Sequence, residues 1–177
     1  MKRYRTSVAF DVMLISLALA GCGDPTGPKD EVVLTAQVNG SAWEAGGRGA
    51  PPTYATFYEG DSTLSVGGLR SGGSGYSDQI GLDIRHVTGP GTYALGDPAT
   101  TSAGLYVVSQ GTLADSTWTM TWYWTSTAHR GTVVITTFEP STHTLQGTFA
   151  FEAQAGSGAW VTVTGGSFIG HYQTSHR

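Results

Sequence analysis

The sequence predicts an all-β protein: a single antiparallel β-sandwich of about ten strands, with a closed or partly open β-barrel as the alternative. Three observations carry that reading. No stretch after Glu31 sustains a 3.6-residue apolar period; short runs rich in Val, Ile, Thr and aromatic residues recur instead, separated by turns at roughly 8–12-residue intervals. Several runs alternate apolar and polar residues, which gives a strand one buried and one wet face. Glycine supplies 26 of the 177 residues, about twice the usual share, while the 12% of charged residues is about half the usual fraction.

The first 21 residues read as an export signal rather than as part of the fold. Lys2, Arg3 and Arg5 precede the apolar run Val12–Ala20, which is far shorter than the ~20 residues of a membrane-spanning helix. The run ends in Leu19-Ala20-Gly21-Cys22, which resembles the lipobox of bacterial lipoproteins. That resemblance implies cleavage before Cys22, the one cysteine of the chain, and diacylglycerol on its thiol. Ordinary cleavage after Ala20 is the alternative, and it leaves a free thiol near the start of an exported chain. Several acyl chains anchor stably, where one chain is marginal. Gly23 in place of an Asp, by resemblance to a bacterial sorting rule, implies the outer membrane of a Gram-negative cell. Residues 22–30, with two Pro, two Gly and polar residues, read as a lipidated Cys and a flexible tether.

Removing residues 1–21 takes three basic and one acidic side chain from the 9 and 13 present, so the remainder carries a net charge of −6. Such a chain is repelled by anionic lipid, and its expected membrane attachment is the covalent lipid on Cys22. The same charge argues against nucleic acid as a partner.

Residues 31–177 make one β domain. Strands are expected at 32–38, 54–58, 63–69, 80–87, 92–95, 104–110, 117–125, 131–138, 145–153 and 159–170. Asn39-Gly40 is the dipeptide of a type I′ hairpin turn, with a new strand beginning near Trp43. Glu59–Ser62 closes 54–58 onto 63–69, and Ser71–Asp78 (SGGSGYSD) reads as a flexible loop. Ile80, Leu82, Ile84 and His86 share one strand face, opposite Gly81, Asp83 and Arg85. Leu145, Gly147, Phe149, Phe151 and Ala153 do the same in a later strand. All pairings are expected to be antiparallel, with His171 and His176 in a tail.

The run Thr117–Thr125 (TWTMTWYWT) is the most informative. Period-two projection places Trp118, Met120, Trp122 and Trp124 on one face and four threonines with Tyr123 on the other. The plainer expectation puts the bulky face in the core and the threonines in solvent. The sharper one makes Trp118, Trp122 and Trp124 an aromatic platform for carbohydrate or a small apolar molecule, with Trp43 and Trp160 as contributors.

Val38-Asn39-Gly40 followed by Trp43, then Gly91-Thr92-Tyr93, Gly131, Ile135-Thr136, Gly147-Thr148-Phe149 and Val163–Phe168 together resemble DUF6252, an uncharacterised family of bacterial lipoproteins with an all-β domain. The resemblance spans roughly residues 31–170. Gly165 departs from it, since the family pattern has an Asn there. The family has no known activity, so the resemblance implies a secreted, lipid-anchored β domain and no catalytic residues.

Reactive chemistry is sparse. No nucleophile elbow, phosphate loop, dinucleotide fingerprint or His-Glu-x-x-His is present. Lysine occurs at Lys2 and Lys29 alone, which removes Schiff-base chemistry from the domain. The five histidines show no metal-ligand spacing, so neither metal nor cofactor is expected. A hydrolase with a carboxylate pair remains a third possibility. Its acids would come from Glu44, Glu59, Asp83, Asp97, Asp115, Glu139 and Glu152, although most of these sit in turn or solvent-face contexts. The expectation is therefore a lipid-anchored envelope lipoprotein with a non-catalytic binding or structural β domain, whose partners are the membrane and an envelope protein or glycan.

Overall fold

A computed structural model describes residues 32–46, 53–73, 75–112 and 117–176. The export signal, Cys22 and the tether lie outside the described residues, as does Asp115. The described chain is all β, with no helix. Its strands are β1 (Val33–Val38), β2 (Ser41–Glu44), β3 (Tyr54–Tyr58), β4 (Thr63–Gly73), β5 (Tyr76–Ile84) and β6 (Gly91–Leu95). They continue with β7 (Ala103–Thr112), β8 (Thr117–Trp124), β9 (Gly131–Glu139), β10 (Thr144–Ala155), β11 (Trp160–His171) and β12 (Gln173–Ser175).

One open sheet holds all twelve in the order β12-β3-β4-β5-β7-β8-β10-β11-β1-β2, and β9 pairs with β10 on one side and β6 on the other. The contact between β8 and β10 is short: only Trp124↔Gln154 and Tyr123↔Ala155 pair. Further along β10, β9 takes over, from Phe151 back to Thr144. The sheet bends at that short junction, and its two halves enclose one core, consistent with a β-sandwich. Leu34, Val66, Ile80, Ile84, Leu145, Phe149 and Phe168 are buried together there. Each large apolar side chain so buried contributes about 1.5–3 kcal/mol.

Local sequence explains the register. Asn39 and Gly40 both have positive φ, 50° and 79°, as a type I′ turn requires, and β1 pairs antiparallel with β2 across them. Residues 59–62 join β3 to β4. In β10 the apolar set from Leu145 to Ala153 is buried and the intervening residues are largely exposed. Gly147 is required by proximity, because a Cβ there would stand 2.5 Å from the Val134 carbonyl and 2.3 Å from the Phe168 ring.

Several expectations are corrected. Ser71–Asp78 is no loose loop: β4 runs to Gly73 and β5 starts at Tyr76, so the hairpin is tight, with Gly75 at φ +79°. Ser71, Gly72 and Ser77 are sheet residues, and the Tyr76 ring lies against Gly72. His86 leaves the apolar face of its strand. β5 ends at Ile84, His86 turns to φ +56°, and Val87 is buried in its place. The C-terminal residues form β12, which pairs with β3 in parallel through Gln173↔Thr56 to Ser175↔Tyr58. Tyr172, immediately before it, is buried against Phe138 at 4.9 Å between ring centroids. The largest correction concerns β8. Trp118, Met120, Trp122 and Trp124 are each about half exposed, and Thr121 and Tyr123 turn inward.

Candidate ligand-binding face

The reversal at β8 follows from its partners. Tyr123 pairs with Tyr106 of β7, and the two rings lie 5.9 Å apart on the inner side. The core on that side is already lined by Tyr106 and by residues of β5, so it accepts Tyr123 and Thr121 and leaves the indoles outside. On the outer face of β7, opposite Trp124, Trp122, Met120 and Trp118, stand Leu105, Val107, Ser109 and Gly111. The Trp122 and Trp124 rings are nearly parallel, 7° apart with centroids separated by 6.1 Å.

Register extends this surface across the sheet. Directly opposed pairs link Tyr54, Gly67, Gly81, Leu105, Trp124, Gln154 and Trp160 in one row over seven strands. Six interstrand steps of ~4.8 Å make that row about 29 Å long. Tyr54 lies across Gly67, where a Cβ would meet its ring and hydroxyl within 2.8 Å. Trp160 is the most exposed indole, at 56%, and stands two strands from Trp124 in the same row, across the short β8–β10 junction. The His129 ring stacks beside it with centroids 6.3 Å apart.

Trp160 therefore joins Trp118, Trp122 and Trp124, as the sequence suggested, and Trp43 does not. Trp43 is buried, and its Nε1–H donates to Asp78 Oδ1 at 2.9 Å. Asp78 is the polar residue that sequence reasoning missed. Its side chain is fully buried and accepts from Arg70 Nε at 2.9 Å, Arg70 Nη2 at 2.6 Å, Tyr106 at 2.7 Å and Tyr76 at 3.0 Å. Burial alone pushes its carboxyl up, but the Arg70 guanidinium together with the Tyr106, Trp43 and Tyr76 donors outweighs that, and the net shift is downward. Burial and the bond to Asp78 push the Tyr106 phenol up, so it stays a neutral donor. Arg70 also donates to the Ala42 carbonyl at 3.1 Å, and Gly46 bridges to β4 beside it. This cluster ties β2, β4, β5 and β7 together from inside, beneath the sheet that displays the outer row.

The remaining sequence candidates are dispersed. Asp83 accepts from Ser65 Oγ and pairs with Arg85 at 3.2 Å, and Arg85 also reaches Asp61 at 3.0 Å. Asp97 accepts from the Ala99 N–H and Glu139 from Ser141, both as turn contacts. Glu59 pairs with His176 at 3.0 Å, and Glu152 stands 3.5 Å from His129. Glu44 sits opposite Thr35 at the sheet edge. Among the described residues no three His, Cys, Asp or Glu side chains converge to hold a metal ion.

The family model described as a domain of unknown function, DUF6252, matches residues 30–170. Neither curated proteins nor solved structures give a match.

Proposed function

The chain belongs to the DUF6252 family, and on that footing we propose that it is a lipid-anchored cell-envelope protein whose β domain binds glycan, without catalysis, on its exposed tryptophan face. The observation that carries this reading is the exposure of Trp118, Trp122, Trp124 and Trp160 on one side of the sheet. Large apolar side chains at that density are ordinarily buried, and an extended exposed patch marks an interaction surface. Indoles offer flat apolar area with one N–H donor, which suits the C–H face and hydroxyl rim of a pyranose. The near-parallel Trp122 and Trp124 rings present such area side by side, and Gln154 between Trp124 and Trp160 adds an amide.

Charge favours a neutral ligand. The chain carries a formal −4, and the outer row from Tyr54 to Trp160 contains no ionisable group apart from the Tyr54 phenol. Anionic lipid and acidic polymers gain nothing electrostatically from it. The anchor rests on Cys22 and the apolar run before it. Residues 23–30 reach at most ~28 Å, at ~3.5 Å each, which keeps the domain beside the membrane surface.

Affinity electrophoresis tests the glycan reading. The full chain in detergent is run through gels containing neutral glucan, xylan, mannan or galactan. Retardation by at least one polymer is expected, and the Trp122→Ala/Trp124→Ala variant should migrate as in an empty gel. Equal migration of the parent chain in every gel overturns the proposal.

A further inference from the structure

Beside Trp160 the outer surface of β10 and β11 is indented by a cleft of about 270 Å³, lined by Arg130, Glu152, Thr162 and Thr164 together with Ala150, Phe151 and Val163. A backbone irregularity lies at one end of it. Between Phe149↔Gly166 and Phe151↔Val163 the register slips, so Thr164 and Gly165 together face Ala150. Gly165 takes φ +56°, the left-handed conformation of a bulge that bends the strand. Small Ala150 on the opposing strand leaves the hollow open.

The polar groups around that hollow are positioned in advance. The Glu152 N–H donates to the Arg130 carbonyl at 3.0 Å, which fixes the two residues side by side. Arg130 Nε donates to the Thr127 carbonyl at 3.0 Å, which steers the guanidinium. Glu152 keeps one carboxylate oxygen turned to His129 Nδ1 at 3.5 Å, and its side chain is about half exposed. His129 braces the Trp160 ring through stacking, and its Nδ1 is shielded from water without a well-formed hydrogen bond. A carboxylate, a guanidinium and two threonine hydroxyls therefore line one small hollow, and Trp160 stands next to it, two residues before Thr162 on the same strand face.

We infer that this cleft is a subsite for one pyranose residue of a neutral glycan chain, with Glu152 and Arg130 bonding its hydroxyls and Trp160 flanking it at one end. The inference rests on the glycan reading of the tryptophan face and extends it to a stated ligand position. The volume lies just under the ~300 Å³ lower end of small-molecule sites, which suits one ring rather than an oligosaccharide. A carboxylate accepts from adjacent hydroxyls while a guanidinium donates to oxygens, and such charge-assisted bonds are stronger than neutral ones. Trp124 lies two strands further along the same row, so a chain held in the cleft can continue toward the indoles of β8. Joining two weak contacts on one ligand raises its affinity over either alone.

Calorimetric titration of the full chain in detergent tests this with glucose, xylose, mannose and galactose and with the corresponding β-linked di- and hexasaccharides. The hexasaccharide of one series should bind at least tenfold more tightly than its disaccharide, and the monosaccharide should bind more weakly still. Glu152→Gln and Arg130→Gln should each weaken the hexasaccharide about tenfold or more, with thermal unfolding unchanged. Hexasaccharide binding unaltered in both variants but abolished in Trp122→Ala/Trp124→Ala overturns the subsite and leaves the tryptophan-face reading standing. No binding of any sugar by the parent chain overturns both.

Discussion

Asp78→Asn removes the charge at the centre of the buried cluster while nearly preserving its shape. In the parent chain one carboxylate oxygen accepts from Trp43 Nε1 and Arg70 Nε, and the other from Arg70 Nη2, Tyr76 and Tyr106. An asparagine oxygen can take the place of one carboxylate oxygen or the other, retaining two or three of these donors. In either orientation its amide nitrogen then faces one of the Arg70 N–H groups. Hydrogen bonds to a charged group contribute about 1.5–3 kcal/mol each, and removing one member of a buried pair costs about 3–5 kcal/mol. Arg70 is about a third exposed and can turn toward water, which places the loss near the lower bound, about 3 kcal/mol. For a domain of this size that corresponds to a fall of about 6–12 °C in Tm. Urea and thermal unfolding of parent and variant, followed by circular dichroism, measure it. Asp83→Asn, at a half-exposed pair, is the control and should cost less than about 1 kcal/mol. Equal losses in the two variants would refute the central role assigned to Asp78.

Other consequences follow from the same geometry. Because the Asp78 carboxyl is held below the usual carboxylate range, its stabilisation is complete above about pH 4 and is lost as pH falls through the lowered value. The stability gap between parent and Asp78→Asn should therefore narrow below about pH 4 in acid titrations of urea midpoints, and a gap that widens there would contradict this. Gly165→Val places a β-branched residue at φ +56° with free space around it, so backbone strain alone should cost about 1–2 kcal/mol, and Gly165→Asn should cost clearly less. Gly147→Ala meets the Val134 carbonyl and the Phe168 ring, and overpacking of that kind costs about 1–3 kcal/mol or more in chemical unfolding. Cys22→Ser should move the protein from the membrane to the soluble fraction; retention in membranes would refute lipidation.

Alternation and turn chemistry carried most of the fold. β3 follows from its apolar and aromatic run, the β1–β2 turn from Asn39-Gly40, and the buried face of β10 from Leu145 through Ala153. Three features were not legible. β12 is too short to show a period, and its parallel pairing depends on where Tyr172 finds a pocket. Asp78 sits in a Ser- and Gly-rich stretch whose composition suggests a loop, and only the fold brings Trp43, Arg70, Tyr76 and Tyr106 around it. The β8 period was evident, yet periodicity names two faces without saying which is inside. Burial was the default for three tryptophans, but Tyr106 and Tyr123 meet on the inner side and leave the threonine–tyrosine face to the core. The cleft beside Trp160 was invisible for a related reason, since a bulge at Gly165 has only a weak signature in a glycine-rich chain.

The exposed indoles are the centre of the account, and tryptophan fluorescence of the full chain in detergent reads them directly. Trp43 alone among the five tryptophans is buried. Emission should therefore be dominated by solvent-exposed indoles, red-shifted, strongly quenched by acrylamide and protected from quenching by the hexasaccharide that binds. A blue-shifted emission that resists acrylamide and ignores every glycan would contradict it.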